Sequence, residues 1–245
     1  MQRPTRPSTS ARASIAVADV HIHTNHSDGE DSPAGVVDHA VRRGLQLIAI
    51  TDHDRIAGAL AAAEHARRHH EIEVIVGEEV STRDGHVIAL FLTRCISPGM
   101  SAVATVAAIH RQGGLAVAAH PYWRAGRSAN GKFPHGVGDI IARADFDAVE
   151  VMNGGFTPSM VYANVLAGWA NRHVKLAEVG GSDAHVKQAV GCVVTEFEGS
   201  SAADFRNAVV TGNTRARLRR PSAVAIGRYV AWGLTPRSTP MAETA

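Results

Sequence analysis

The sequence predicts an α/β fold of barrel size, and three observations carry that expectation. Its 245 residues fit one domain of α/β-barrel length. Short apolar runs alternate with stretches of helical periodicity, as in repeated βα units. Histidines and carboxylates gather where the predicted strands end, the side on which barrel enzymes place their chemistry.

The elements follow in order. Ile15–His23 reads as a first strand, leading into a polar turn at Thr24–Asp31. Ser32 and Pro33 read as the cap and first residue of a helix that runs to about Arg43 and stops at Gly44. Leu45–Thr51 is a second strand and Ala57–His70 an alanine-rich helix. Glu73–Val80 and His86–Leu92 read as two strands joined by a turn at Arg83, Asp84 and Gly85. Ser101–Gln112 is a helix closed by two glycines, and Leu115–Ala119 a buried strand. Beyond a loop at 122–136, a short helix near Val137–Arg143 leads to a strand at Ala148–Met152. A helix at Ser159–Arg172, a strand at Val174–Val179 and a helix at Ser201–Thr211 complete the body. The expected organisation is a disordered leader (1–14), a catalytic domain (15–220), a docking helix in 221–234 with Tyr229 and Trp232, and a Pro/Ser/Thr-rich tail (235–245) without order.

Composition narrows the function classes. The formal charge of +2 hides a division: residues 15–210 hold 16 Lys/Arg against 22 Asp/Glu, so the body is acidic and only the ends are basic. That argues against an extended nucleic-acid track. No run approaches the roughly 20 apolar residues that cross a bilayer, so no membrane partner is expected. The two cysteines, Cys95 and Cys192, are far apart; this excludes a disulfide framework and a thiolate zinc site and suits the cytoplasm.

The anomaly is 14 histidines. Six stretches lie at or just after predicted strand ends: Asp19 to His23, Ser27 to Gly29, Thr51 to Asp54, Gly77 to Val80, Ala119 to Pro121, and Gly181 to His185. His86 opens the strand after Glu79. Residues two apart on extended chain share a side, so His21 and His23 can reach one ion together, as can Asp183 and His185 if the chain stays extended there. A single histidine is more often a core or surface residue than a ligand. Burying this many imidazoles and carboxylates without a cation would leave charges unpaired at several kcal/mol each. Nitrogen and oxygen donors without thiolate suit manganese, zinc or iron(II).

These segments, HxH, SDG, TDHD, GxEVS, AHP and GSDAH, in this order from about Val17 to Val194, resemble the PHP (polymerase and histidinol phosphatase) superfamily of metal-dependent phosphoesterases. The resemblance implies a distorted (β/α)7 TIM-like barrel with a cluster of two or three divalent ions at the carboxyl ends of the strands. It implies His21, His23, Glu79 and Asp183 around a first ion, and Glu79 bridging to a second held by His86 and His120. Asp28, His53 and His185 would hold a third. Strand alternation turns Glu78 to the opposite side from Glu79.

The expected activity is hydrolysis of small phosphorylated substrates, whether phosphomonoesters, nucleotides or oligonucleotide ends, by a metal-bridging hydroxide. Hydrolysis of carboxyl esters, carbamates or amides on the same cluster, and a non-catalytic metal-binding module, are the alternatives. Asp183 and His185 are candidates for leaving-group protonation, beside a metal-bound water, and Asp52 for steadying the His53 imidazole. Arg83, Arg124, Arg127 and Lys132 are candidates for gripping a phosphate, and Asn153 for orienting water or substrate; solvated loops explain the four cations as well. His39, His65, His69, His70, His110, His135 and His173 read as ordinary helix or loop residues, and His26 is left unassigned.

Overall fold

The computed structural model describes residues 14–124 and 135–235. Among the described residues nine strands form one sheet: β1 (Ile15–Asp19), β2 (Leu47–Ile50), β3 (Glu73–Thr82), β4 (Gly85–Leu90), β5 (Leu115–Ala118), β6 (Ala148–Asn153), β7 (Ala177–Gly181), β8 (Val193–Glu198) and β9 (Thr214–Leu218). Around them lie α1 (Pro33–Arg42), α2 (Ala57–Ala66), α3 (Ala102–Arg111), α4 (Pro158–Val174), α5 (Ala202–Val210) and α6 (Ala223–Leu234). The strand order is β7-β6-β5-β4-β3-β2-β1-β8-β9, and β7 also lies against β8 and β9. The sheet is therefore a nearly closed barrel, as expected. Its distortion is specific: β4 runs against β3 and β5, and β8 against β1 and β9, while the other pairs are parallel.

Local chemistry sets the element ends. Ser32, Ser101, Thr157 and Ser222 each accept a backbone N–H of the first turn, capping α1, α3, α4 and α6. Ser201 and Asp204 form a reciprocal capping box on α5. β2 (Leu-Ile-Ala-Ile) is buried throughout, as a parallel strand covered on both faces must be.

Three expectations need correction. The first strand pairs only to Asp19; beyond it the chain stays extended, and Ile22 meets Ala184 in an isolated bridge. α4 runs through Val174 and ends on Lys175 in the left-handed region, so the next strand begins at Ala177 rather than Val174. β8 and β9 were not anticipated: β8 pairs antiparallel with β1 and, across α5, with β9, which breaks the parallel βα repeat, and β9 carries Arg215, Arg217 and Leu218 exposed.

The closing seam depends on two devices. Gly180 lies so close to β8 that a Cβ there would stand 2.9 Å from Val193 Cγ1 and from the Val194 carbonyl. The Thr195 hydroxyl occupies the gap, within 2.9 Å of both N and O of Gly180. The second device is Asp19, which is fully buried. Its Oδ1 accepts the Ser182 N–H (2.9 Å) and its Oδ2 the Gly191 N–H (2.7 Å), tying β1 to the chain leaving β7 and to the chain entering β8. Burial raises its pKa to about 6 against the pull of these bonds.

Replacing Asp19 with alanine would strand two buried N–H groups, at about 1–3 kcal/mol each. We expect a loss of about 2–6 kcal/mol in stability by denaturant unfolding; a loss below about 1 kcal/mol would show that the seam does not depend on this carboxylate.

Candidate metal centre

Each predicted ligand comes from the mouth of the barrel. His21 and His23 lie on the extended chain after β1, Asp28 on the following turn, and His53 after β2, where it bridges to Glu79. Glu79 is on β3, His86 on β4, His120 after β5, and Asp183 and His185 after β7. His120 and Asp183 adopt positive φ (26° and 50°), a backbone state unusual for a side-chain-bearing residue. Such conformations persist only where the surroundings enforce them, and here both turn a donor into the mouth.

Glu79 is the hub. Its Oε2 lies 3.3 Å from His21 Nε2, 3.3 Å from His23 Nε2 and 3.2 Å from His53 Nδ1. Its Oε1 lies 2.8 Å from His86 Nδ1 and 3.0 Å from His120 Nε2. Asp183 Oδ1 faces the same pair as Oε2, at 3.4 Å from His21 Nε2 and 3.2 Å from His23 Nε2. Asp28 Oδ1 is 3.3 Å from His185 Nε2, and its Oδ2 is 3.8 Å from His53 Nε2. All nine residues therefore converge. His23 and His53 each stand between two groups of donors.

The donor set fits divalent cations. Nε2 of His21, both ring nitrogens of His23, Nε2 of His86 and Nδ1 of His120 are buried without a hydrogen-bond partner. Nitrogens and oxygens 3.2–3.4 Å apart have the spacing of adjacent donors around an ion with bonds of about 2.1 Å. Within the chain alone, the charges balance through protons. Burial alone raises the pKa of Glu79, but His86, His53 and His21 overcome it and hold it well below the usual carboxylate range. Burial likewise works against Asp183, and His21 and His23 hold it well below. For His23, burial lowers the value, but Asp183, Glu79 and Asp28 raise it to about 10. A cation replaces those protons when it binds.

Behind the donors stands a layer that the sequence reading missed in part. Glu150, on β6, is fully buried. Its Oε1 lies 3.0 Å from His21 Nδ1, and its Oε2 accepts the His120 N–H (2.7 Å) and the Asn153 amide (3.0 Å). This fixes the His21 ring with Nε2 toward the mouth. A carboxylate inside the apolar run Ala-Val-Glu-Val-Met was the available signal. Asn153, expected to orient water or substrate, instead gives its amide to Glu150 and Asp183 (3.1 Å) and accepts the Gly155 N–H, so the chain around the cluster takes up its polar atoms.

Asp52 also differs from expectation. Its carboxylate accepts the Thr24 N–H, the Thr24 hydroxyl and the Ser27 hydroxyl, each at 2.7 Å. It anchors the turn that carries Asp28 rather than the His53 ring. Asp54 accepts the Ser81 N–H (2.7 Å) and does not cap α2, whose cap makes no side-chain bond. Glu78 points away from the cluster, as alternation required, and accepts the Ile96 N–H at 2.8 Å.

The rim is aromatic. The Trp232 ring of α6 lies 4.0 Å from His185 between centroids, and its indole N–H donates to the Asp28 carbonyl at 2.9 Å. α6 meets the body through Ala225, Tyr229 and Trp232. On the far side, His135 sits 5.3 Å from His86 and 4.4 Å from Trp123. The sequence offered only a loop histidine there. Arg83 and Arg124 are exposed, Arg83 in the turn after β3 and Arg124 against Gly138. Arg127 and Lys132 lie outside the described residues.

Comparison with known proteins agrees with this geometry. The family model described as PHP domain matches residues 19–124, and the one described as PHP-associated matches residues 161–214. The uncharacterized protein MJ1587 of Methanocaldococcus jannaschii is 35% identical over 56% of this chain and 81% of its own. The 3',5'-nucleoside bisphosphate phosphatase of Chromobacterium violaceum is 38% identical over 41% of this chain, but only 35% of that protein is matched. Among solved structures, a two-domain protein from Bacteroides vulgatus containing a predicted PHP-like metal-dependent phosphoesterase superposes with a TM-score of 0.69 at 21% identity. It covers 89% of this chain and 70% of that one.

If Glu150 fixes the His21 ring, Glu150→Gln should weaken retention of cluster metal about 10- to 100-fold, read by equilibrium dialysis and metal analysis. Affinity equal to that of the unaltered chain would remove Glu150 from the account.

Proposed function

The chain belongs to the PHP domain family, and on that premise we propose that it hydrolyses phosphate esters of small molecules, nucleotides among them, at the metal centre. The observation that carries this reading is the single buried carboxylate of Glu79 facing five imidazoles, with Asp183 and Asp28 completing three neighbouring donor groups. Divalent ions held there would supply a strong water-derived nucleophile near neutral pH and charge to offset that of the phosphoryl oxygens. The similarity to a nucleoside bisphosphate phosphatase supports a small phosphorylated substrate.

The chain's own residues assemble the rest. His21, His23, Glu79 and Asp183 hold one position, Glu79 with His86 and His120 a second, and Asp28, His53 and His185 a third. Asp183 stays ionised beside His21 and His23, which suits a ligand better than a proton donor. His185 is no better placed to pass a proton to the leaving oxygen, because both of its ring nitrogens are engaged once it holds an ion, and water is left as the proton source. The His185 Nδ1 lies 2.9 Å from the Asp183 carbonyl, which orients Nε2 toward Asp28 and the rim. Trp232 walls that edge and gives a flat face against which a base or sugar can lie. Arg83 and Arg124 are the described cations at the rim proposed to grip a phosphate. Among the described residues no helix is long and apolar enough to cross a membrane, consistent with a diffusible substrate.

A panel of a phosphomonoester, a nucleoside bisphosphate, a cyclic phosphodiester and a carboxyl ester, each with manganese, zinc and iron(II), tests the reading. Phosphoester turnover is expected, and Asp183→Ala should abolish both turnover and bound metal. Turnover confined to the carboxyl ester, or an Asp183→Ala protein with unchanged metal and rate, would contradict it. Arg83→Ala should raise KM about 10-fold or more with kcat little changed, the cost of losing a charge-assisted hydrogen bond. An unaltered KM would remove Arg83 from substrate binding.

A further inference from the structure

A second cluster of metal-ligating side chains lies away from the mouth. His65 is near the carboxyl end of α2, and His69 follows four residues later in the turn that continues it. Residues four apart on a helix face the same way, so their rings are neighbours, with centroids 5.5 Å apart. Asp38 comes from the middle of α1, which packs on α2. Its Oδ1 is 2.8 Å from His65 Nε2 and 3.2 Å from His69 Nε2. Three donors from two helices thus meet at one point. His65 lies about 12 Å along the helix from the amino end of α2, the end that adjoins His53 and the catalytic mouth.

We propose that Asp38, His65 and His69 form a surface binding site for a divalent cation of the zinc class, separate from the catalytic cluster, which clips α1 to α2. Two imidazoles and a carboxylate leave one position of a tetrahedron for water. Adjacent donors around zinc are about 3.3 Å apart for bonds of about 2.0 Å, so the observed separations need only a small outward shift of the side chains. Access is open: the side chains of His65, His69 and Asp38 are 21%, 28% and 41% exposed. The nearby Arg67 is paired with Glu64 at 2.9 Å, so its charge is offset at the rim of the site. The hydrogen bond from His65 keeps the Asp38 carboxyl below its usual value, leaving it ionised for a metal at neutral pH. A cation bound to the folded arrangement and not to separated helices stabilises the fold by mass action. The loops bearing Asp28 and His53 run directly into α1 and α2, so the clip holds the helices that follow them.

The test is zinc binding to the full chain by equilibrium dialysis, with the catalytic cluster already filled by zinc. The unaltered protein should bind one more equivalent than either His65→Ala or His69→Ala. Asp38→Asn should weaken that equivalent about 10-fold or more. His70→Ala, which removes the adjacent exposed histidine, should bind like the unaltered protein. Zinc should also raise the melting temperature, measured for each protein against its own value in chelator, several degrees further in the unaltered protein than in His65→Ala. Equal stoichiometry and midpoint in the His65 and His69 variants, or an equal loss in His70→Ala, overturns the proposal.

Discussion

One buried carboxylate governs this molecule. Glu79 is 1% exposed and has five imidazoles within 3.3 Å of its oxygens. In a low-dielectric interior an ionised carboxylate is tolerated only when positive charge reaches it, and here that charge is imidazolium or metal. The requirement propagates outward. His21 and His23 must leave β1 on one side of an extended chain, β4 must turn back against β3 to return His86, and His120 and Asp183 must adopt positive φ. The antiparallel β4, which departs from a plain βα repeat, is the element that brings His86 back beside the carboxylate it serves.

The carboxylates around the centre divide by what satisfies them. Asp19, Asp52, Asp54 and Glu78 are buried, and their oxygens are taken by backbone N–H groups, hydroxyls or both. They hold the scaffold. Glu79, Asp183 and Asp28 instead face imidazole nitrogens, several of them without a hydrogen-bond partner. Glu150 bridges the two groups, with one oxygen on a ligand imidazole and the other on backbone and amide donors. Such second-layer contacts keep ligand rings aimed before any ion arrives, which lowers the ordering cost of binding.

Much of this was legible in the sequence because the ligand residues are chemically conspicuous and sit at strand ends. The cap at Ser32 follows from the Ser-Pro pair, and the short buried strands and the opposed directions of Glu78 and Glu79 follow from periodicity. Other features depend on partners remote in sequence. β9 carries Arg215, Arg217 and Leu218 to solvent and fully buries no residue, so no apolar run marks it, and its pairing with β8 makes it a strand. The purpose of Asp52 was misread because its neighbour His53 is a donor, whereas its contacts are 25 and 28 residues away at Ser27 and Thr24. Glu150 and Asn153 act on His21 and Asp183, 129 and 30 residues away, and no local pattern encodes those contacts. The pairing of Asp38 with His65 and His69 is of the same kind, set by the packing of α1 on α2.

Anomalous diffraction from crystals soaked in manganese tests the central claim most directly. The account predicts peaks at bonding distance from both oxygens of Glu79, one shared with His21, His23 and Asp183 and another with His86 and His120. A map without a peak within reach of Glu79, with the same imidazoles turned to hydrogen-bond its carboxylate, would contradict it.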